Sequence, residues 1–203
     1  MVLESQPGWK VCGEASNGRQ AVELTKQLGP DVIVLDVTMP ELNGLEATRQ
    51  IARNVPTAKV LVLTSYGDGD YVVQLLEAGA VGYLLKQTAA ADLLKAIRQV
   101  KAGKAFYSPA IARRLRQQDQ EASASNRPAA RTIKLTSREA EVLQLVAEGL
   151  ANKQIAAELD ISIKTVEKHR QQAMNKLNIH DIAGLTRYAI SRGWVERGVS
   201  ALS

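Results

Sequence analysis

Val32-Ile33-Val34-Leu35, followed at once by Asp36, is the stretch that most narrows the fold. Four apolar residues in a row, three of them β-branched, suit a strand covered on both faces, because a strand with one wet face alternates instead. Such a strand needs helices above and below it, and the first hundred residues supply strand and helix in turn. Val11–Ala15 is a short strand signal. Asn17 can cap a helix through Leu28, Asp31–Val37 holds the buried strand, and Leu45–Arg53 reads as a helix. Lys59–Thr64 is predicted as another buried strand, Asp70–Ala78 as a helix stopped by Gly79, Val81–Leu85 as a strand, and Ala91–Ala102 as a helix stopped by Gly103. This rhythm specifies a parallel doubly wound sheet, an α/β domain over residues 1–104.

Sheets of that kind place their chemistry at the carboxyl ends of the strands. Asp36, Thr64 and Lys86 fall there. An ionised aspartate straight after an apolar strand is costly unless it opens into a polar, cation-lined pocket. With Lys86 and a metal nearby the set has a chemical meaning: the carboxylate accepts a phosphoryl group, Lys86 offsets the growing charge, and the Thr64 hydroxyl bonds the phosphate oxygens.

The second half changes character. Thr136 with Glu139 forms a capping box ahead of Ala140–Glu148, whose Val142, Leu143, Leu145 and Val146 give an apolar stripe ended by Gly149. Asn152–Leu159 follows, with Ile155, Ala156 and Leu159 inward. Asp160-Ile161 is a tight connection into the helix Ser162–Leu177, so two helices meet across a turn too short for antiparallel packing, the geometry of a helix-turn-helix. In that second helix Val166, His169, Arg170, Ala173, Met174 and Leu177 share one side. The opposite side carries Lys164, Glu167, Lys168, Gln171 and Asn175, and Ser162 stands as N-cap, leaving the positive end of the dipole facing outward. Asp181 caps a last helix, Ile182–Arg192, where Ile182, Leu185, Ala189 and Ile190 are expected to close the core.

Charge divides the chain the same way. Residues 1–103 hold 10 Lys and Arg against 11 Asp and Glu, while residues 104–203 hold 16 against 10. A basic C-terminal half beside a neutral N-terminal half points to a polyanion partner for the former alone. Cys12 is the single cysteine; an internal disulfide is excluded, and a small buried strand residue is the reading it invites. No apolar run approaches the roughly 18 residues of a membrane span, and no basic segment followed by an apolar one opens the chain, so a cytoplasmic protein without a membrane partner is expected.

Three segments carry a resemblance in the first half: Asp36-Val37-Thr38-Met39-Pro40-Glu41-Leu42-Asn43-Gly44-Leu45, Val62-Leu63-Thr64-Ser65 and Gly82-Tyr83-Leu84-Leu85-Lys86. Together they resemble the receiver domain of two-component response regulators, a flavodoxin-like fold. The resemblance implies that Asp36 is the phosphoacceptor, that the Thr38 backbone carbonyl is a Mg2+ ligand, and that Thr64 and Lys86 are switch and phosphate-binding residues. Tyr83 would be the aromatic whose rotamer reports the switch. Leu135-Thr136-Ser137-Arg138-Glu139, Asn152-Lys153-Gln154-Ile155-Ala156 and Lys164-Thr165-Val166-Glu167-Lys168-His169, closing in Lys176-Leu177, look like the LuxR-type DNA-binding domain. The chain is thus identified with response regulators of the NarL/FixJ type: a receiver, a helical segment and flexible linker over 105–131, and an all-α helix-turn-helix domain over 132–203.

That resemblance implies double-stranded DNA, a sensor histidine kinase and a homodimer on DNA as partners. Lys164, Thr165, Lys168 and Gln171 are the expected base or near-base contacts, Asn152 and Lys153 the expected phosphate contacts, and Glu167 either reads a cytosine amino group or repels wrong docking. His169 and Arg170 face inward, and neither His169 nor His180 has metal-ligand company. Phe106-Tyr107-Ser108-Pro109 opens a helical stretch at Ala110–Gln118, capped by Ser108, and its Arg113, Arg114 and Arg116 read as a solvated face rather than a DNA contact.

Four departures from the family pattern matter. A receiver opens with a strand delivering an acidic pair, and Met1–Gly8 has neither. A sheet lacking its first strand, as in an N-terminally truncated receiver, is therefore expected, with neighbours left unpaired or forced together. Mg2+ is then expected to be weakly held or absent, and phosphorylation impaired, with DNA binding retained. Ala151 stands where the family has a capping hydroxyl, and Gly184 where it has a better helix former, at a cost near 1 kcal/mol. Two rival functions fit parts of the sequence. One is a phosphorylation-independent DNA-binding regulator whose receiver remnant is a dimerisation module. The other is a phosphatase using Asp36 as nucleophile, which would want a second aspartate where Thr38 stands, so the chain is not expected to be an enzyme.

Overall fold

The computed structural model describes residues 3–65, 69–87, 89–109, 111–113, 115–117 and 135–195. In order these form α1 (Gly18–Leu28), β1 (Val32–Asp36), α2 (Gly44–Asn54), β2 (Lys59–Thr64), α3 (Gly69–Glu77), β3 (Ala80–Leu85), α4 (Ala89–Lys101) and β4 (Phe106–Tyr107). Residues 109, 111–113 and 115–117 are helical and are called α5 here. Four helices complete the chain: α6 (Ser137–Ala147), α7 (Asn152–Glu158), α8 (Ile163–Leu177) and α9 (Ile182–Ser191). The predicted linker Asp119–Arg131, and Arg114, lie outside the described residues.

The strands form one parallel sheet in the order β1-β2-β3-β4, with Asp36 opposite Leu63 and Thr64 opposite Leu85. Alternation along the strands divides the packing. Leu61 and Leu84 join Ala96, Ile97 and Val100 of α4 on one face. Val60, Val62 and Tyr83 face the other side, where Leu45 and Ile51 of α2 and Tyr71, Val72 and Leu75 of α3 cover them. Helices on both faces of a parallel sheet make the α/β architecture expected from the strand-helix rhythm.

Several local expectations change. Val11–Ala15 forms no strand. The sheet edge offered to it is β1, and α1, β1 and residues 8–16 line an open groove of roughly 870 Å3. Without a ladder neighbour, extended backbone stays solvated. Leu3 and Trp9 instead fold against the α4 side of the sheet, with the Arg98 guanidinium 5.8 Å from the Trp9 ring centroid. Because β1 is an edge, three of its four apolar residues are only half-buried, and Cys12 is exposed rather than buried. Phe106 and Tyr107, read as the lead-in to a helix, pair with Gly82 and Tyr83 of β3. Two residues are too short for a period-2 signal. Ser108 is buried, but its hydroxyl has no hydrogen-bond partner among the described residues, so it does not cap α5.

The helical half follows its sequence signals closely. Thr136 and Glu139 complete the capping box of α6. At Ala151 only half of a box survives, the Gln154 side chain accepting from the Ala151 amide at 2.8 Å. Asp160 turns the chain between α7 and α8 at φ 50°, a left-handed value aspartate tolerates better than most residues. Ile182 is 53% exposed and does not close the core; Leu185 and Ala189 do.

Gly184 has a packing reason that helix propensity hides. A Cβ there would stand 2.6 Å from Ile179 Cγ2 and 2.9 Å from Asp181 Oδ2, while the Gly184 amide donates to the Asp181 cap at 2.7 Å. Gly184→Ala is accordingly expected to lower the stability of the helical half by roughly 1–3 kcal/mol through crowding, against a propensity gain of about 1 kcal/mol. Urea unfolding followed by far-UV circular dichroism checks the sign.

Candidate functional site

The carboxyl edge of the sheet gathers the residues named from sequence. Asp36 ends β1, Thr64 ends β2, and Lys86 follows β3 directly. The Lys86 amide donates to the Thr64 carbonyl at 2.8 Å, which registers the two strand ends. The Lys86 ammonium lies 2.5 Å from Asp36 Oδ2, and the Thr38 amide donates to Asp36 Oδ1 at 3.1 Å. Both carboxylate oxygens are therefore engaged, in a site about one-third exposed. Thr64 is fully buried, and Tyr83 is buried at the middle of the sheet opposite Val62 and Tyr107.

Gly44 shows how tightly this edge is built. A Cβ at Gly44 would lie 2.2 Å from the Asp36 carbonyl oxygen, so only glycine lets α2 begin against the end of β1. The Gly44 amide donates to the Val37 carbonyl at 2.8 Å. Asn43, the N-cap, accepts from the Glu46 amide through its side-chain oxygen at 3.0 Å. Glu41 within the same loop sits at φ 66°, a conformation costing of order 1 kcal/mol or more for a residue with a Cβ.

In the helical half the predicted reading face is open. Lys164, Glu167, Lys168, Gln171 and Asn175 of α8 are exposed, while Val166, Ala173 and Leu177 are buried. Ser162 Oγ caps α8 by accepting from the Thr165 amide at 3.1 Å. Thr165 is the least free of the expected contacts, since its hydroxyl also lies 2.8 Å from Ser162 Oγ. Lys153 is exposed at the start of α7, whereas Asn152 is half-buried and accepts from Arg170 at 3.4 Å, tying α7 to α8. His169 is turned inward with a buried Nδ1.

Lys176, also on α8, reaches the Glu139 carboxylate at 2.7 Å. Burial pushes the Glu139 carboxyl upward, but bonds from Lys176 and Thr136 outweigh it and hold the group below its ordinary value. A carboxylate depressed in the folded state stabilises above its unfolded pKa and loses that contribution as pH falls through the folded value. Below the ordinary 4.5, stability should therefore fall more steeply in the parent chain than in Glu139→Gln, as read by urea midpoints at stepped pH.

The sequence did not reveal that the two halves of the chain touch. The face of α6 carrying Glu141, Gln144 and Glu148 would ordinarily be read as solvated, yet Glu141 and Gln144 are buried. Gln50 of α2 donates to Glu141 at 2.8 Å, and Arg19 of α1 approaches Glu158 of α7 at 3.4 Å. Trp194, beyond α9, is buried against Tyr71 of α3, and burial pushes the Tyr71 phenol far above its ordinary range.

An aspartate and a lysine meeting at the end of a parallel sheet, on one chain with a helix-turn-helix whose second helix is open, define a signal receiver joined to a DNA-reading domain. Comparison with known proteins agrees. Residues 1–98 match the response regulator receiver domain, and residues 134–189 the bacterial regulatory proteins of the luxR family. The transcriptional regulatory protein LiaR of Bacillus subtilis is 41% identical over 187 residues, covering 92% of this chain and 87% of that protein. DegU of Brevibacillus brevis is 38% identical over 207 residues, 96% of this chain and 88% of its own length. RcsB of Salmonella enterica serovar Typhimurium, solved on promoter rprA with a phosphomimetic, is 28% identical with a TM-score of 0.58 over 92% of this chain and 88% of that one. The chain belongs to the family of two-component transcriptional response regulators that join a receiver to a LuxR-type DNA-binding domain.

Proposed function

We propose that this response regulator reads duplex DNA through α8 and receives its signal as a phosphoryl group on Asp36. The carrying observation is the open face of α8: Lys164, Lys168 and Gln171 are exposed together on the second helix of the helix-turn-helix. Cations there neutralise backbone phosphates, and Gln171 offers a donor and an acceptor to base edges. Thr165 serves at the helix start, Asn152 and Lys153 at the start of α7 hold a phosphate, and Glu167 limits the sequences accepted. RcsB has been solved as two dimers bound to two parallel DNAs, which supports paired half-sites and a homodimer on DNA for this chain as well.

For the receiver, Asp36 is the acceptor, Lys86 neutralises the added charge, and Thr64 and Tyr83 respond to it. A sensor histidine kinase is the phosphodonor implied. The domain limits proposed are 1–104, 105–131 and 132–203. No helix of the described residues is long and apolar enough to cross a membrane, which supports action in the cytoplasm.

Mg2+, which receivers generally bind, finds a poor fit among the described residues. No group of three or more His, Cys, Asp or Glu gathers there, and Asp36 has one oxygen on Lys86 and the other on the Thr38 amide. Near-octahedral oxygen coordination needs more than one carboxylate and the Thr38 carbonyl. The 203-residue chain with a small phosphodonor and Mg2+ should consequently show less than stoichiometric phosphorylation by intact mass. Full modification that disappears in Asp36→Asn would contradict this.

Lys168→Ala should weaken binding to a specific half-site by roughly 1–3 kcal/mol if Lys168 meets a base, or weaken it uniformly across sequences while lowering the salt slope by about 1 if it meets a phosphate. Titrations at several salt concentrations separate the two. Unchanged affinity would reject the assigned face.

A further inference from the structure

The loop that follows the proposed phosphoacceptor is bonded to the DNA-binding domain at four places. Thr38 Oγ1 donates to the Gly193 carbonyl at 2.8 Å. Gln144 of α6 donates to the Met39 carbonyl at 2.8 Å and accepts from the Asn43 amide and side chain at 2.7 and 2.9 Å. The Glu41 amide donates to Glu148, whose carboxyl burial pushes upward and which also accepts from Gln144 at 2.8 Å. A primary amide offers two donors and two acceptor positions, and all four of Gln144's are used in a site with no exposure.

This contact leaves the reading face untouched. Among the described residues, the bonds from the loop to the DNA-binding half go to α6, to Glu148 or to the turn after α9, and Lys164, Lys168 and Gln171 of α8 remain exposed. The loop is tied to its partner at both ends of its reach, because the Gly44 amide holds the Val37 carbonyl at 2.8 Å where no side chain would fit, and Asn43 is at once the cap of α2 and a donor to Gln144.

We infer that the Thr38–Asn43 loop and Gln144 form a clasp that sets the bearing of the DNA-reading helix on the receiver without covering it, so that a change at Asp36 redirects α8 through this loop. The inference rests on the proposed roles of α8 and Asp36, and it locates control in placement rather than in occlusion.

The test uses the full chain labelled at Cys12, which is exposed and the sole cysteine, and at His180→Cys on the exposed turn before α9. Electron-electron resonance distances between the labels should be narrow in this parent and broad in Gln144→Ala. Asn43→Ser, which keeps a capping oxygen for α2 and the backbone amide bond to Gln144 but loses the side-chain amide donor, should broaden them also, with helix content retained. Affinity for a single half-site at matched salt should stay within about twofold in both. Unbroadened distances in both variants would overturn the clasp. Half-site affinity changed tenfold or more would overturn the claim about placement, a rise showing a covered face and a fall showing half-site reading that needs the receiver. Lys168→Ala in the same labelled chain keeps the readings apart: narrow distances with unchanged affinity would reject the DNA face and leave the clasp standing.

Discussion

Where the two halves of the chain meet, a neutral side-chain amide lies wholly out of water with every hydrogen-bonding position filled. Gln144 sits between Asn43, Met39 and Glu148, and removing one partner leaves a buried polar group that costs about 1–3 kcal/mol. A packed apolar surface tolerates small slips, whereas this arrangement is satisfied in one pose only. Apolar contact contributes around it: buried residues run without a break from Leu45 and Tyr71 to Ala140 and Trp194. The apolar part supplies adhesion and the amide supplies register, which is the division expected when polar groups are buried with full partners.

Much of this was legible in advance, for reasons that can be traced to particular residues. Long periodic segments with caps, such as α8 behind Ser162 and α6 behind Thr136, declare their type and their capping residue, because capping and apolar spacing agree, although α6 starts at Ser137, three residues before the stretch its apolar stripe marked. The meeting place of Asp36, Thr64 and Lys86 was legible as well, since a parallel sheet fixes the edge at which strand-end residues emerge. What stayed hidden was relational. Nothing local separates Phe106-Tyr107 from a loop; its strand character comes from β3 beside it. Val11–Ala15 has the right composition but no ladder partner. Gly184 looks like a weak helix residue until Ile179 and Asp181 are placed against it. Gln144 and Glu141 carry the ordinary signature of a wet face, and only the docking of the Met39–Asn43 loop on the one and of α1 and α2 on the other reverses it.

The Asp36 site shows the same dependence on neighbours. Its carboxylate is balanced by one ammonium and one amide, and adding a doubly charged group there would ask for more compensation than Lys86 alone gives. The backbone next to that charge is not free to relax. Thr38 holds Gly193 with its hydroxyl while its amide holds Asp36, so a single residue shares its two donors between the acceptor and the other domain. Displacing the amide from Asp36 strains or breaks the hydroxyl contact 2.8 Å from Gly193. Coupling by this route needs no distant relay, since one residue touches both ends, and the strained backbone of Glu41 lies within the same short loop. Interfaces that have one satisfied pose shift between discrete arrangements rather than deforming by degrees. A loop of six residues, gripping α6 through an amide and α2 through a cap, is therefore suited to carry a displacement at Asp36 to the helical half in one step, while the open face of α8 stays clear of the contact.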